Sequence, residues 1–206
     1  MRYEKEMIPV LTDYLSSEMG YSIIANELDS SYGVADIVAT MDLQEHGYYP
    51  FNNIIDVFLL NSIPYKKVIS FKDICWMSSY SEKHLKYMVL KGFIDGGFLV
   101  KDGVGYRRIK RLTISKNPII AIEAKLKKWR EAFLQAMRYK KYADFTYVAL
   151  MESTLKNVDL KLFEENNIGL LTVSQSKTVN KIIVPQKNRE KHELYAMYVN
   201  GVLFNS

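Results

Sequence analysis

Residues 119–126 have the sequence IIAIEAKL, and this stretch decides the fold class of the chain. The stretch begins apolar on both alternating faces, which is typical of a strand in the centre of a sheet. Alternation then places Glu123 and Lys125 together on one face of the strand. Burying a charged side chain is costly unless it is paired or holds a metal. A solvated strand end is the alternative explanation, and for a lone two-residue pattern it is the more frequent one.

The segments around this strand predict an α/β fold. Residues 3–19 space their apolar side chains as a helix does, and two short apolar stretches at 21–28 and 33–40 then predict a hairpin. Strands and helices alternate after residue 118, which implies right-handed crossovers and a largely parallel sheet. The elements predicted there are strand 119–126, helix 127–143, strand 145–151, helix 155–167, strand 168–174, edge strand 179–184 and terminal helix 189–198.

The middle of the chain has a different character. Three short helices are predicted at 53–61, 71–77 and 82–91, the last closed by Gly92, and two strands at 98–100 and 106–112 then flank a turn. Residues 51–117 contain 12 Lys and Arg against 5 Asp and Glu, whereas the remainder contains 16 against 18. The basic excess therefore belongs to one segment, which suggests a separate module with an anionic partner.

Two further acids are candidates for chemistry with Glu123. Asp36 is the single acid of the predicted strand GVADIVAT, and Glu27 ends the strand before it. If the strands are neighbours, Asp36 and Glu123 can meet as oxygen ligands of Mg²⁺, which is usually bound by one or two carboxylates plus substrate phosphate. Lys125 would then orient a water or stabilise charge on the phosphate. On the following helix, Gln135 shares a polar face with Glu131 and is placed to contact substrate or a metal-bound water.

These motifs, in this order, resemble the PD-(D/E)xK nuclease superfamily, also called the restriction-endonuclease-like fold. The resemblance rests on an N-terminal helix, E-L-x4-G-V-A-D-I-V, I-I-A-I-E-A-K-L, a helix with Q-A-M-R-Y, and the strand F-T-Y-V-A-L. It covers about residues 1–45 and 118–175. One departure is Ala35, which stands before Asp36 where the family often has proline.

The resemblance implies a mixed-sheet core flanked by helices, with roles for particular residues. Asp36 and Glu123 would bind Mg²⁺ or Mn²⁺ together with the main-chain carbonyl of Ala124, and Lys125 would be the catalytic lysine. Gln135, in a Q-x3-Y pattern with Tyr139, matches a helix position that many members use. Glu27 would add an acidic ligand or a water contact, and either Glu4 or Glu6 would match an accessory glutamate.

Residues 51–117 resemble a winged helix-turn-helix domain inserted between core parts 1–50 and 118–206. Its recognition helix would enter a DNA major groove while the basic wing contacts phosphates. The residues expected to contact DNA are Lys83, His84, Lys86, Lys101, Arg107, Arg108, Lys110 and Arg111. A protein-binding winged helix with a solvated basic face is the alternative.

The expected function is metal-dependent hydrolysis of duplex DNA. The alternatives are an inactive DNA-binding or regulatory protein, and a nuclease subunit of a mobile-element or defence complex whose winged helix docks a protein. The chain has no apolar run long enough for a membrane helix and no signal-peptide core, so a cytoplasmic protein without a membrane partner is expected. Its one cysteine excludes an internal disulfide and a cysteine-based zinc cluster. A homodimer or larger nuclease complex is compatible with a double-strand cutter.

Overall fold

The computed structural model describes residues 3–41, 51–112 and 117–205. The chain has an α/β fold, with a mixed sheet of six strands flanked by helices. Its strands lie in the order β1 (Ile23–Asp29), β2 (Val34–Thr40), β6 (Ile120–Lys125), β7 (Phe145–Met151), β8 (Gly169–Val173) and β9 (Val179–Ile183). A second sheet has three strands in the order β3 (Val68–Ser70), β5 (Gly105–Arg108) and β4 (Leu99–Asp102). The predicted α/β class is therefore confirmed.

A helix and a hairpin begin the large sheet, as predicted. A 3₁₀ turn at Glu4–Glu6 leads into α1 (Met7–Ser17), and β1 (Ile23–Asp29) then pairs antiparallel with β2 (Val34–Thr40). The apolar side chains of α1 recur at helical spacing and pack against one face of the sheet, where they meet Ile37, Ile122 and Tyr147.

Three parallel strands form the centre of the large sheet. β6 (Ile120–Lys125), β7 (Phe145–Met151) and β8 (Gly169–Val173) pair in parallel, connected by α6 (Trp129–Tyr139), a 3₁₀ turn at Glu152–Asn157 and α7 (Leu160–Glu165). The single helix predicted at 155–167 is thus two shorter helical pieces. α6 and α7 cover the face opposite α1 through Phe133, Phe163 and their neighbours.

Two elements complete this part of the chain. β9 (Val179–Ile183) is an antiparallel edge strand beside β8, as predicted for 179–184. α8 (Glu193–Asn205) starts later and extends further than the predicted 189–198 helix. It packs on the same side of the sheet as Val38 and Ala121.

Residues 51–112 form the three-stranded sheet and the helices around it. α2 (Ile54–Ser62), β3 (Val68–Ser70) and α3 (Phe71–Met77) are followed by a continuous helical stretch and then by the hairpin of β4 (Leu99–Asp102) and β5 (Gly105–Arg108). The helical stretch consists of α4 (Glu82–His84), a π-helical segment (Leu85–Val89) and α5 (Leu90–Asp95).

Two features of this region differ from expectation. The prediction that Gly92 closes the third helix is wrong, because α5 continues to Asp95. Phe93, the residue after Gly92, is fully buried in this helix. The strand β3 was not predicted, since three residues are too few to show an alternating pattern. The domain boundaries predicted at 50/51 and 117/118 adjoin residues 42–50 and 113–116, which lie outside the described residues.

One apolar cluster joins the two sheets. It contains Leu60 of α2, Phe93 of α5, Ala121 of β6 and Val199 of α8. α2 and α8 pack directly, with the ring of Phe58 5.7 Å from those of His192 and Tyr195. The middle segment is therefore built into the same core as the large sheet. Within the described residues, no helix has the length and apolar character needed to cross a bilayer.

The shared cluster predicts that the whole chain unfolds in one transition. Leu60 is fully buried, so Leu60→Ala should lower the free energy of unfolding by about 2–5 kcal/mol. Ile55 lies on the same helix and is 45% exposed, so Ile55→Ala should cost under about 1 kcal/mol. Urea titrations followed by circular dichroism and tyrosine fluorescence measure both. Two separate transitions in the parent protein would contradict the shared core.

Candidate active site

Three carboxylates stand in one row across β1, β2 and β6. The flanking residues pair in a register that puts Glu27 opposite Asp36 and Asp36 opposite Glu123. The β1–β2 ladder has no pair at this row, and the β2–β6 ladder ends one pair before it. Glu27 has a left-handed backbone, with φ of 53°, a conformation that costs a residue other than glycine about 1–3 kcal/mol and is concentrated at functional sites. The sheet is therefore irregular at this row, both in its strand pairing and in the backbone of Glu27.

The side chain of Asp36 replaces a backbone partner where β2 and β6 separate. Their ladder ends at the pair of Ile37 and Ile122, and the next amide on that edge of β6 donates to Asp36. Ala124 N lies 2.7 Å from Asp36 Oδ2. Because the N–H and C=O of one strand residue point to the same side, the carbonyl of Ala124 also points toward β2. The predicted partners Asp36, Glu123 and Ala124 are thus neighbours.

The ammonium of Lys125 lies among three carboxylates. Its Nζ is 2.7 Å from Glu123 Oε1, 3.9 Å from Asp36 Oδ2 and 3.7 Å from Glu4 Oε2. Glu123 is 1% exposed and Lys125 is mostly buried, so the pair is not a solvated strand end. A single cation offsets only part of the charge of three carboxylates, which leaves the cluster electronegative.

Tyr139 holds the second oxygen of Glu123. Its hydroxyl lies 2.5 Å from Glu123 Oε2 and 2.8 Å from the carbonyl oxygen of Val34. Tyr139 belongs to the Q-x3-Y pattern with Gln135, but it is not among the residues that the sequence predicts for the site. The signal that could have found it was the four-residue spacing from Gln135, which puts both side chains on one helix face.

The remaining predicted site residues differ in their burial and in their hydrogen bonds. Gln135 has its side-chain oxygen Oε1 buried without a hydrogen-bond partner among the described residues. Of the two accessory candidates, Glu4 is the one at the site, where its Oε1 accepts from the amide of Leu126 at 3.3 Å. Glu27 is exposed, and its charge acts on Asp36 without a direct hydrogen bond.

Burial controls the protonation of the site. It raises the pKa of Asp36 despite the hydrogen bond from Ala124 and the charge of Lys125, which act in the opposite direction. It likewise raises the pKa of Glu123 against the hydrogen bonds from Lys125 and Tyr139. Burial alone would lower the pKa of Lys125, but its hydrogen bond to Glu123 and the surrounding negative charges outweigh burial and raise it.

The donor set suits a hard divalent cation that keeps most of its own ligands. The carboxylates of Asp36 and Glu123 and the carbonyl of Ala124 are oxygen donors, which Mg²⁺ and Mn²⁺ prefer. In the part of the chain that the structure describes, no group of three or more His, Cys, Asp and Glu side chains could hold a metal ion. If Asp36, Glu123 and the Ala124 carbonyl held Mg²⁺, the remaining positions of its shell would be left to water and substrate oxygens.

The basic residues predicted to contact DNA lie on more than one surface of residues 51–112. Most are exposed, namely Lys83, His84, Lys86, Lys101, Arg107, Lys110 and Arg111. Lys86 and Lys101 line a cleft of about 520 Å³ between the helical stretch and the β4–β5 hairpin. Arg107 pairs with Asp102 at 2.9 Å. Arg108 is engaged differently, because its Nη1 donates to the carbonyls of Leu60 and Asn61.

Comparison with protein-family models, curated protein sequences and solved structures gave no match for this chain. Residue chemistry and geometry are therefore the basis for assigning a function.

The raised carboxyl pKa values predict how metal binding depends on pH. Ligands must be deprotonated to bind a cation, so Mn²⁺ affinity measured by isothermal titration calorimetry should increase as pH rises through the raised pKa values of Asp36 and Glu123. A raised pKa means that the folded state holds its proton more tightly, so the metal-free protein should lose stability over the same rise in pH.

Tyr139→Phe tests the second oxygen of Glu123. The hydrogen bond from Tyr139 lowers the pKa of Glu123, so its loss should move the pH midpoint of Mn²⁺ binding to higher pH. Tyr87→Phe is the matched control, because Tyr87 is 59% exposed and lies in the helical stretch of the middle segment. An affinity that falls as pH rises would contradict the assignment of these carboxylates as ligands.

Proposed function

We propose that the protein is a metal-dependent deoxyribonuclease of the PD-(D/E)xK type. The observation that carries the proposal is the convergence of Asp36, Glu123 and Lys125 at the point where β2 and β6 separate, with Lys125 within 4 Å of both carboxylates. Two acids and a lysine at the end of adjacent sheet strands are what hydrolysis of a phosphodiester requires: anionic metal ligands and a cation for developing charge.

The residues of the site divide the work in this proposal. Asp36, Glu123 and the carbonyl of Ala124 would hold the cation, which supplies Lewis-acid polarisation of the phosphoryl group. Lys125 keeps its proton, because the surrounding carboxylates raise its pKa. Its ammonium can therefore orient the attacking water by hydrogen bonding or stabilise charge on the phosphoryl oxygens. Gln135 has an unsatisfied buried oxygen to offer to a water or to the substrate.

Topology supports the resemblance to the restriction-endonuclease-like fold. A helix precedes an antiparallel hairpin, whose second strand lies beside the first of three parallel strands. The two acids lie on those two central strands, and Gln135 is on the following helix α6.

The element order of residues 51–112 supports the proposed winged helix. It runs helix, strand, helix, helix, strand, strand, and the first strand pairs with the last. The cleft of Lys86 and Lys101 also contains Tyr87 and Tyr106. Cations with aromatic rings are suited to a nucleic-acid backbone and its bases. We propose duplex DNA as the partner of this surface.

Removing single site residues tests the proposed hydrolysis. Supercoiled plasmid should be nicked or cut with Mg²⁺ or Mn²⁺ and left intact with EDTA. Asp36→Asn and Glu123→Gln should abolish cutting without abolishing DNA retardation in a gel. Lys125→Met should reduce the rate by about 10²–10⁴-fold, the range typical of a positioned group that acts in the transition state.

Glu165→Gln is the matched control for these variants, because Glu165 is an exposed carboxylate paired with Lys161 on α7. It should cut at the parental rate, and thermal melting should show that each inactive variant is folded. Cutting by Glu123→Gln at the parental rate would show that the site is wrong. DNA retardation without cutting by the parent protein would favour a DNA-binding protein or a nuclease subunit that needs a partner.

Arg107 and Arg108 should respond differently to neutralisation, although they are adjacent. Arg107→Gln should weaken duplex binding and reduce the slope of log affinity against log salt by about 1, the value for one lost phosphate contact. Arg108→Gln should chiefly lower the unfolding temperature, because Arg108 ties β5 to the end of α2. Fluorescence anisotropy at several salt concentrations, in EDTA, measures the first effect. An unchanged slope in Arg107→Gln would remove Arg107 from the DNA surface.

A further inference from the structure

A cleft lies between the middle segment and the start of α8, and none of the residues assigned to hydrolysis lines it. It has a volume of about 710 Å³. Its first wall is the end of α2 and the residues after it, its second is the end of β5 and the residues after it, and its third is residues 191–197 around the start of α8. Asn61 and Tyr65 line the first wall, Arg108 and Arg111 the second. The size falls within the usual range for small-ligand sites, about 300–1,000 Å³.

Two guanidinium groups are held around one aromatic ring in this cleft. The guanidinium carbon of Arg111 lies 4.8 Å from the ring centre of Tyr65, and that of Arg108 lies 5.9 Å from it. Arg108 is also fixed by its hydrogen bonds of 2.7 and 3.2 Å to the carbonyls of Leu60 and Asn61. The main chain of Tyr65 forms a parallel bridge with Arg108. The cationic groups are thus positioned before any ligand arrives, which reduces the entropic cost of binding.

The charge of this pair is not neutralised by the described part of the chain. Neither Arg108 nor Arg111 forms an ion pair with a carboxylate of the described residues. The adjoining residues 113–116 include no acid in their sequence. Burial, and then the charge of Arg111, lower the pKa of Arg108. The two cations therefore repel each other, and no carboxylate of residues 3–41, 51–112 or 117–205 is paired with either of them.

The other charged groups of the cleft leave a cationic excess. Lys191 also lines it, although its Nζ lies 2.6 Å from Asp144 and is already paired. Glu193 is the one carboxylate among the lining residues. Three cations against one anion give the lining a formal charge of +2 with His192 neutral. Paired guanidiniums recognise planar or tetrahedral oxyanions by parallel hydrogen bonds.

We propose that this cleft binds a phosphate group, which Arg111 and Arg108 recognise beside the Tyr65 ring. A phosphodiester of a nucleic-acid backbone and a free phosphate ligand share this chemistry. The two arginines then belong to a site separate from the helix-and-hairpin cleft of Lys86 and Lys101. The inference does not rest on the proposed hydrolysis, because none of the lining residues is Asp36, Glu123 or Lys125.

Two measurements on the full chain in EDTA test the site. In the first, thermal unfolding is followed with inorganic pyrophosphate or orthophosphate and, at equal ionic strength, with chloride or acetate. In the second, fluorescence anisotropy measures affinity for a short DNA duplex. Arg111→Gln is the main variant, because Arg111 is exposed and its guanidinium contacts the Tyr65 ring of the cleft, without the carbonyl bonds that Arg108 makes among the described residues. Arg111→Lys retains the charge but not the guanidinium fork.

Lys161→Gln is the control for loss of one positive charge, because Lys161 is an exposed residue of α7 paired with Glu165. The proposal expects phosphate, or the duplex, to bind the parent and Lys161→Gln equally. Arg111→Gln should weaken that binding about tenfold, as expected for the loss of one charge-assisted contact. The affinity of Arg111→Lys should lie between those of the parent protein and Arg111→Gln.

The two sources of phosphate give different outcomes. A loss confined to pyrophosphate or orthophosphate identifies a free phosphate ligand, and a loss confined to the duplex identifies a backbone phosphodiester. Equal binding of both probes by the parent and Arg111→Gln would overturn the proposal. Because neither measurement involves cleavage, an inactive protein can still support this site, and an active nuclease can still lack it.

Discussion

The buried carboxylate of Glu123 is the constraint on which the arrangement of the site depends. An unpaired charge at 1% exposure would destabilise the fold by several kcal/mol. Lys125 satisfies one oxygen from the same strand, and Tyr139 satisfies the other from α6. Glu123 therefore connects the end of β6 to the last turn of α6 through its hydrogen bond with Tyr139. The burial that makes this acid costly is also what raises its pKa.

Local pattern was sufficient to predict the central strand and the meeting of Asp36 with Glu123. These two predictions depend only on the alternation of side chains along a strand and on which strands are neighbours in the sheet. The partner Tyr139 could not be inferred in the same way, because its position depends on how α6 packs over the sheet. The choice between Glu4 and Glu6 depended on a short 3₁₀ turn, whose geometry has no clear sequence signature. At Gly92, the burial of Phe93 outweighed the weak helix propensity of glycine.

Strand alternation also explains why adjacent basic residues differ in role. Arg107 and Arg108 are consecutive in β5, so their side chains leave opposite faces of the small sheet. One reaches Asp102 on the hairpin, and the other reaches the end of α2. A count of Lys and Arg along the sequence cannot show that Arg107 and Arg108 lie on opposite faces of the small sheet. A basic segment can therefore carry two anion-binding faces while its composition suggests one.

The π-helical segment at Leu85–Val89 sets the rotational phase of the helical stretch that contains it. A bond from i to i+5 encloses one residue more than the usual i to i+4 bond. Since each α-helical residue turns the chain by about 100°, the extra residue rotates everything after it by that amount. It brings Leu90 and Phe93 into the core while Lys91 faces outward. If one residue were lost there, the residues that follow would turn by about 100°, and Leu90 and Phe93 would move away from the core.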